Sequence, residues 1–147
     1  MAADASTIHA SAVLIGPKAA LIRGPSGAGK SRLAWRLLQG GLPFVRLVGD
    51  DRVHVEQRGG RLLVWPNSKL AGLIEIRGLG VRRLAYEPLA VVAVVVDLTA
   101  ADAERLPLPG AGETTLEGVK LPRLAVTPGA DALPVLLAFL GTAPDSD

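Results

Sequence analysis

Eight residues, Gly24-Pro25-Ser26-Gly27-Ala28-Gly29-Lys30-Ser31, have the types and spacing needed to hold a polyphosphate. They fit the P-loop pattern G-x-x-x-x-G-K-[ST] without a mismatch. The glycines let the backbone turn tightly enough for several N–H groups to point at phosphate oxygens. Lys30 adds a point charge, and Ser31 a hydroxyl for a divalent metal. The expected ligand is a nucleoside triphosphate with its metal, and Ala or Val at Gly29 is expected to block the approach. An acidic doublet, Asp50-Asp51, follows. Adjacent acids oppose each other's ionisation, so such a pair can take up one proton and return it. A third acid, Asp97, closes the apolar run Val91 to Val96, which is the pattern of a metal-holding Walker B strand.

These residues need elements to present them. Ala19 to Arg23 reads as a short buried strand leading into the glycine loop, and Ser31 to Gln39 as the helix leaving it. Leu33, Ala34, Leu37 and Leu38 fall on one face of that helix, Arg32, Arg36 and Gln39 on the other, and Gly40-Gly41 then Pro43 end it. His9 to Ile15 predicts a second strand, joined to the first in a hairpin around Gly16-Pro17-Lys18. Phe44 to Val48 predicts the strand that delivers the doublet. Val53-His54-Val55 continues it with period-two alternation, His54 being structural, and Arg58-Gly59-Gly60 turns the chain into Arg61 to Trp65.

Strands so closely connected must be antiparallel, whereas the valine-rich stretch Leu89 to Val96 predicts a central strand. The expected fold is therefore α/β, a P-loop-containing mixed sheet of parallel and antiparallel strands with flanking helices. Gly72 to Gly80 reads as a functional glycine-rich loop, and Leu106 to Gly118 as an exposed, mobile connection. Leu133 to Leu140 predicts a short helix with Asp131 as N-cap and Gly141 as stop. It is apolar on nearly every side, which predicts burial in the core or in a subunit contact.

The 147 residues fit one domain, residues 1–147, with 1–6 and 142–147 as frayed tails. With no cysteine there is no disulfide or thiolate metal site, no leader segment is expected, since no charged stretch followed by an apolar run and cleavage site is seen, and no apolar run is long enough to span a bilayer. A cytoplasmic protein without a membrane segment is expected. Sixteen basic and fourteen acidic residues leave a charge of +2, with no basic run and no aromatic platform, so nucleic acid is not an expected partner.

Together these motifs resemble the bacterial HPr kinase/phosphorylases, whose P-loop catalytic domain phosphorylates a serine of the phosphocarrier HPr. The resemblance rests on His9, Gly24 to Ser31, Val48-Gly49-Asp50-Asp51-Arg52-Val53, Leu73-Ile74-Glu75-Ile76-Arg77-Gly78-Leu79-Gly80 and Glu104-Arg105-Leu106. It spans roughly residues 7 to 130, and the chain resembles the short forms found in alphaproteobacteria. It implies an HPr kinase/PEP carboxykinase-like fold, ATP and Mg²⁺ as cofactors, and an HPr-type phosphocarrier as partner. It also implies a homo-oligomer, hexameric in the family. By the same resemblance Asp50 is the catalytic base, Ser31 and Glu75 hold the metal, Lys30 binds phosphate, and His9 and Arg105 are active-site residues. The chemistry thus sits at Asp50 and Glu75, not at Asp97. Longer members carry an arginine-bearing segment linked to dephosphorylation where this chain has Ala125 to Ala130, without arginine, so the reverse activity is in question.

Two further functions stay open at this level. A small-molecule P-loop kinase would bring an arginine-rich lid, and Leu106 to Gly118 contains none. A nucleotide-binding regulatory module without turnover would keep the loop and transfer nothing.

Overall fold

The computed structural model describes residues 7–145; the tail expected at Met1 to Ser6 lies outside the described residues, as do 146–147. β1 (Ile8–Ile15) and β2 (Lys18–Arg23) form the expected hairpin, with Ile15 opposite Lys18 and Ala10 opposite Arg23. The turn needs Gly16, whose φ of 63° suits a residue without Cβ. α1 (Lys30–Gln39) follows the glycine loop, starting one residue earlier than expected, and buries Leu33, Ala34 and Leu37.

β3 (Val45–Gly49) and β4 (Arg52–Arg58) both run antiparallel to β1, β3 opposite its end and β4 opposite its start. They are two halves of one strand, broken at the acidic doublet. β5 (Arg61–Pro66) pairs antiparallel with β4, as the Gly59-Gly60 turn requires. β8 (Ala90–Asp97) is the central strand expected from its valines, with β2 parallel on one flank and β10 (Val119–Ala125) also parallel to it. β5 joins β8 antiparallel, so the pairings run β2–β1–β4–β5–β8 and return to β2. The sheet is mixed, as expected.

Alternation sorts the side chains. Ala10, Ala12, Leu14, Leu21, Val53, Val64 and Val92 pack together on one side of the sheet. Val13, Ala20, Ile22, Val94 and Val96 face Leu33, Ala34, Leu37 and Leu136 on the other. Each fully buried Leu, Ile or Val contributes about 1.5–3 kcal/mol of transfer free energy, and this packing fixes α1 and hence the loop before it.

Four expectations need correction. The Gly72 to Gly80 stretch is not a loop but a hairpin of β6 (Leu73–Ile76) and β7 (Gly80–Arg83), a two-stranded sheet of its own. The connection expected over Leu106 to Gly118 contains β9 (Glu113–Leu116), which pairs antiparallel with β10. The closing helix α2 (Leu133–Gly141) is not immersed in the core: Leu136 is its buried residue, while Val135, Leu137, Phe139 and Leu140 are exposed. Its N-cap position is Ala132, one residue after Asp131. The Asp131 carboxylate still accepts the Leu133 N–H at 3.1 Å, and it pairs with Arg36 of α1 at 2.5 Å.

Candidate active site

The glycine loop owes its shape to two backbone positions that L side chains rarely adopt. Gly27 has φ 83° and Gly29 φ 103°, and a Cβ at either would meet no atom within 4 Å, so the space beside them is open. Gly24 is constrained differently: a Cβ there would lie 3.0 Å from Ala28 Cβ and 3.2 Å from Leu98 Cβ. Within the loop Ala28 N–H donates to the Pro25 carbonyl at 3.0 Å, and among the described residues the amides of Ser26, Gly27 and Gly29 have no protein acceptor. Unpaired amides at a helix start, beside open space, suit an anion.

Lys30 opens α1 and is buried, its ammonium donating to the Gly24 and Pro25 carbonyls at 2.8 and 3.2 Å. Its Nζ also lies 3.1 Å from His9 Nε2 and 3.7 Å from Asp51 Oδ1. His9 Nε2 is in turn 2.6 Å from Asp51 Oδ1. One ring nitrogen cannot donate to Asp51 and accept from Lys30 at once, so the imidazole serves one neighbour or the other according to where its proton sits.

Asp50 and Asp51 point to different partners. Asp50 is buried; its Oδ1 accepts the hydroxyls of Ser11 and Ser31, each at 2.7 Å, and its Oδ2 accepts Ser31 at 2.8 Å and the Glu75 N–H at 3.2 Å. Asp51, with half its side chain exposed, faces His9 and Lys30. The split comes from the backbone: Asp51 sits at φ 67°, where Asp is better tolerated than most residues, and Arg52 N–H donates to Asp50 O at 2.8 Å. Gly49 permits the kink, since a Cβ there would fall 2.6 Å from Val53 Cγ1.

Ser11 is a site residue that sequence reasoning missed. Fully buried in β1, it donates to Asp50 and accepts the Asp51 N–H at 3.0 Å, tying both members of the doublet to one strand. The available signal was its position two residues after His9, hence on the same face of the strand.

Not every expected residue converges. Glu75 reaches Asp50 through its backbone N–H, while its residue is exposed. Arg105 is exposed on the segment between β8 and β9 and makes no hydrogen bond or ion pair with His9, Lys30, Asp50 or Asp51. For a metal, the donors at hand are the Ser31 hydroxyl and Asp50, with Glu75 joined to Asp50 through its backbone N–H. Among the described residues no group of three or more His, Cys, Asp or Glu is gathered. That set suits Mg²⁺, which takes one or two carboxylates and completes its shell with phosphate and water.

Asp97 has a different occupation. Arg23, directly before Gly24, binds it through Nε at 2.6 Å and Nη2 at 2.8 Å, and Arg123 Nε reaches it at 2.5 Å. Burial would raise its pKa, but the hydrogen bonds and charges of the two arginines outweigh burial and hold the carboxyl below its ordinary range. Both oxygens are thus committed to arginine.

The mixed α/β fold has a solved counterpart. The structure of the Hpr(Ser) kinase/phosphatase from Coxiella burnetii superimposes with a TM-score of 0.73 at 25% identity, covering 93% of this chain and 94% of that chain. The family model described as HPr Serine kinase C-terminal domain matches residues 1–87, a span that holds His9, the glycine loop, the doublet and Glu75 and stops before Arg105. An HPr kinase/phosphorylase of Limosilactobacillus reuteri is 33% identical over 135 residues, 84% of this chain and 41% of the relative. One from an Exiguobacterium species is 48% identical over 62 residues, 42% of this chain and 19% of the relative. The chain therefore spans well under half the length of these curated relatives, and it belongs to the HPr serine kinase C-terminal domain family. No helix among the described residues is long and apolar enough to cross a membrane.

Proposed function

We propose that this chain is an ATP-dependent kinase domain that phosphorylates a serine of an HPr-type phosphocarrier protein and so regulates a phosphotransferase system. In this reading Gly24 to Ser31 is a phosphate-binding P-loop of the HPr kinase/PEP carboxykinase type, cytoplasmic and assembled as a homo-oligomer. The observation that carries the reading is the pair of contacts at the loop's mouth: Ser31 on Asp50, and Lys30 through His9 to Asp51. The open amides and Lys30 hold the phosphates, while Ser31, Asp50 and Glu75 hold Mg²⁺, which when bound neutralises phosphate charge. Transfer forms a bond from the acceptor serine Oγ to the γ-phosphorus, breaks the bond from that phosphorus to the bridging oxygen of ADP, and hands the serine proton to a carboxylate.

Geometry favours Asp51 for that proton over Asp50. Asp50's oxygens are occupied by Ser11, Ser31 and the Glu75 amide, whereas Asp51 is half exposed beside His9. The absence of arginine from Ala125 to Ala130 supports weak phosphorylase activity or none. Exposed apolar side chains on α2 support the homo-oligomer, a hexamer by family resemblance.

The test is transfer from labelled ATP to HPr with Mg²⁺. Asp51→Asn is expected to lower kcat by about 10²–10⁴ with nucleotide affinity nearly kept, and Asp50→Asn to raise the Mg²⁺ requirement. Full transfer by Asp51→Asn together with none by Asp50→Asn returns the base to Asp50. Nucleotide binding without transfer to any HPr favours a regulatory module.

A further inference from the structure

Outside the loop and doublet, the described residues gather one more charged cluster, and it begins next to Gly24. Arg23 and Arg123 share the Asp97 carboxylate, and Arg123 continues outward to Asp102 through Nη1 at 2.9 Å and Nη2 at 3.0 Å. Arg123 Nη1 also donates to the Ala111 carbonyl at 3.0 Å. One mostly buried guanidinium therefore grips both ends of the segment from Asp102 to Ala111, the segment that carries Arg105. The residues just before that segment are tied down as well. Leu98 N–H donates to the Arg23 carbonyl at 2.9 Å, Leu98 Cβ packs at Gly24, and Ala100 N–H donates to Val126 O at 2.8 Å.

A loop whose two ends meet at one side chain behaves as a tethered arm: its tip moves, and its root does not. We propose that Arg123 is a positioning residue of the kinase, anchoring the Asp102–Ala111 arm, and with it Arg105, to the sheet end where Arg23 leads into Gly24. This deepens the reading given above, and it rests on Arg105 acting in phosphoryl transfer. It also explains the Walker-B-like acid: Asp97 is the mostly buried pivot that orients Arg123 outward while holding the Arg23 guanidinium. Arginine suits the post because its planar fork serves two carboxylates and a carbonyl at once, which lysine cannot do.

The experiment has two arms. In the first, trypsin cleavage after Arg105 is timed in the wild-type chain, Arg123→Gln and Asp102→Asn, with no substrate protein present. Arg123→Gln is expected to be cut about tenfold faster, and Asp102→Asn to be cut at an intermediate rate. Unchanged cleavage in both variants overturns the anchor whether or not the chain is a kinase.

The second arm is a double-mutant cycle on kcat for transfer to HPr with Arg123→Gln and Arg105→Ala. Arg123→Gln alone is expected to lower kcat about tenfold, with KM for ATP changed less than about twofold, and to add nothing in the Arg105→Ala background. Equal losses in both backgrounds overturn positioning through Arg105. Asp102→Asn, which spares the part-buried Asp97 contacts, keeps both arms decisive if Arg123→Gln unfolds. A wild-type chain that binds ATP but transfers nothing counts against the kinase reading itself, and cleavage after Arg105 still decides the anchor.

Discussion

Replacing Ser11 by Ala isolates the one side chain that fastens both acids to β1. Ser11 is fully buried, its hydroxyl donates to Asp50 Oδ1 at 2.7 Å, and it accepts the Asp51 N–H at 3.0 Å. A hydrogen bond to a charged group contributes about 1.5–3 kcal/mol and a neutral one about 0.5–1.5. Asp50 keeps Ser31 and the Glu75 amide, so it is not orphaned, but the Asp51 N–H loses its acceptor. The expected loss of stability is about 2–4 kcal/mol, or a fall in Tm of roughly 6–12 °C for a domain of this size. Urea melts give the first number and calorimetry the second. Repeating the substitution in an Asp50→Asn background separates the two bonds: the charged contribution shrinks, so the cycle shows a coupling of about 1 kcal/mol or more. A loss below about 1 kcal/mol, or no coupling, refutes the account of Ser11 as the tie between doublet and strand.

Gly24→Ala forces a Cβ to within 3.0 Å of Ala28 Cβ and 3.2 Å of Leu98 Cβ; it is expected to cost about 1–3 kcal/mol and to weaken nucleotide binding at least about tenfold, read by titration with a fluorescent nucleotide. Asp97, with its pKa held below the ordinary 3.8, contributes stability that is present above that value and lost as pH falls through its folded one. The wild type should therefore lose stability more steeply than Asp97→Asn below about pH 4, as followed by acid melts. Leu137→Lys places a charge on the exposed face of α2; it should leave the Tm of the separated chain within a few degrees and dissociate the proposed homo-oligomer, as measured by sedimentation.

What was legible in the sequence is what is held locally. The hairpin of β1 and β2, the glycine loop and α1 are neighbours in the chain, and each is marked by its own glycine turn and by alternation or helical spacing. The doublet's place after a strand was legible for the same reason. The β6–β7 hairpin was not, because four-residue strands flanked by glycines imitate a loop in composition, and the pairing that defines them lies across the turn. β10 was hidden by Pro122, which argues against a strand; the residue is tolerated where pairing passes from β9 to β8. The cluster at Asp97 could not be read at all, since Arg23 and Asp97 are 74 residues apart and only the parallel alignment of β2 and β8 brings them side by side. The apolar stretch at Asp97 was legible as a strand, but the partner of its acid was not.

The doublet shows how one backbone irregularity assigns chemistry. In a regular strand, neighbouring side chains point to opposite faces, so one of two adjacent acids would be turned away from the glycine loop. Here the break between β3 and β4, with Asp51 at φ 67° and Gly49 pressed against Val53, lets both acids reach the loop by separate routes. Asp50 takes the buried route to Ser31, and Asp51 the half-exposed route to His9 and Lys30. The left-handed position also decides which substitution tests the acid cleanly. Asn tolerates that backbone about as well as Asp does, whereas Ala adds a conformational penalty of order 1 kcal/mol. A loss of transfer in Asp51→Asn thus reports on the missing carboxylate, and any greater loss in Asp51→Ala reports on the kink that aims it.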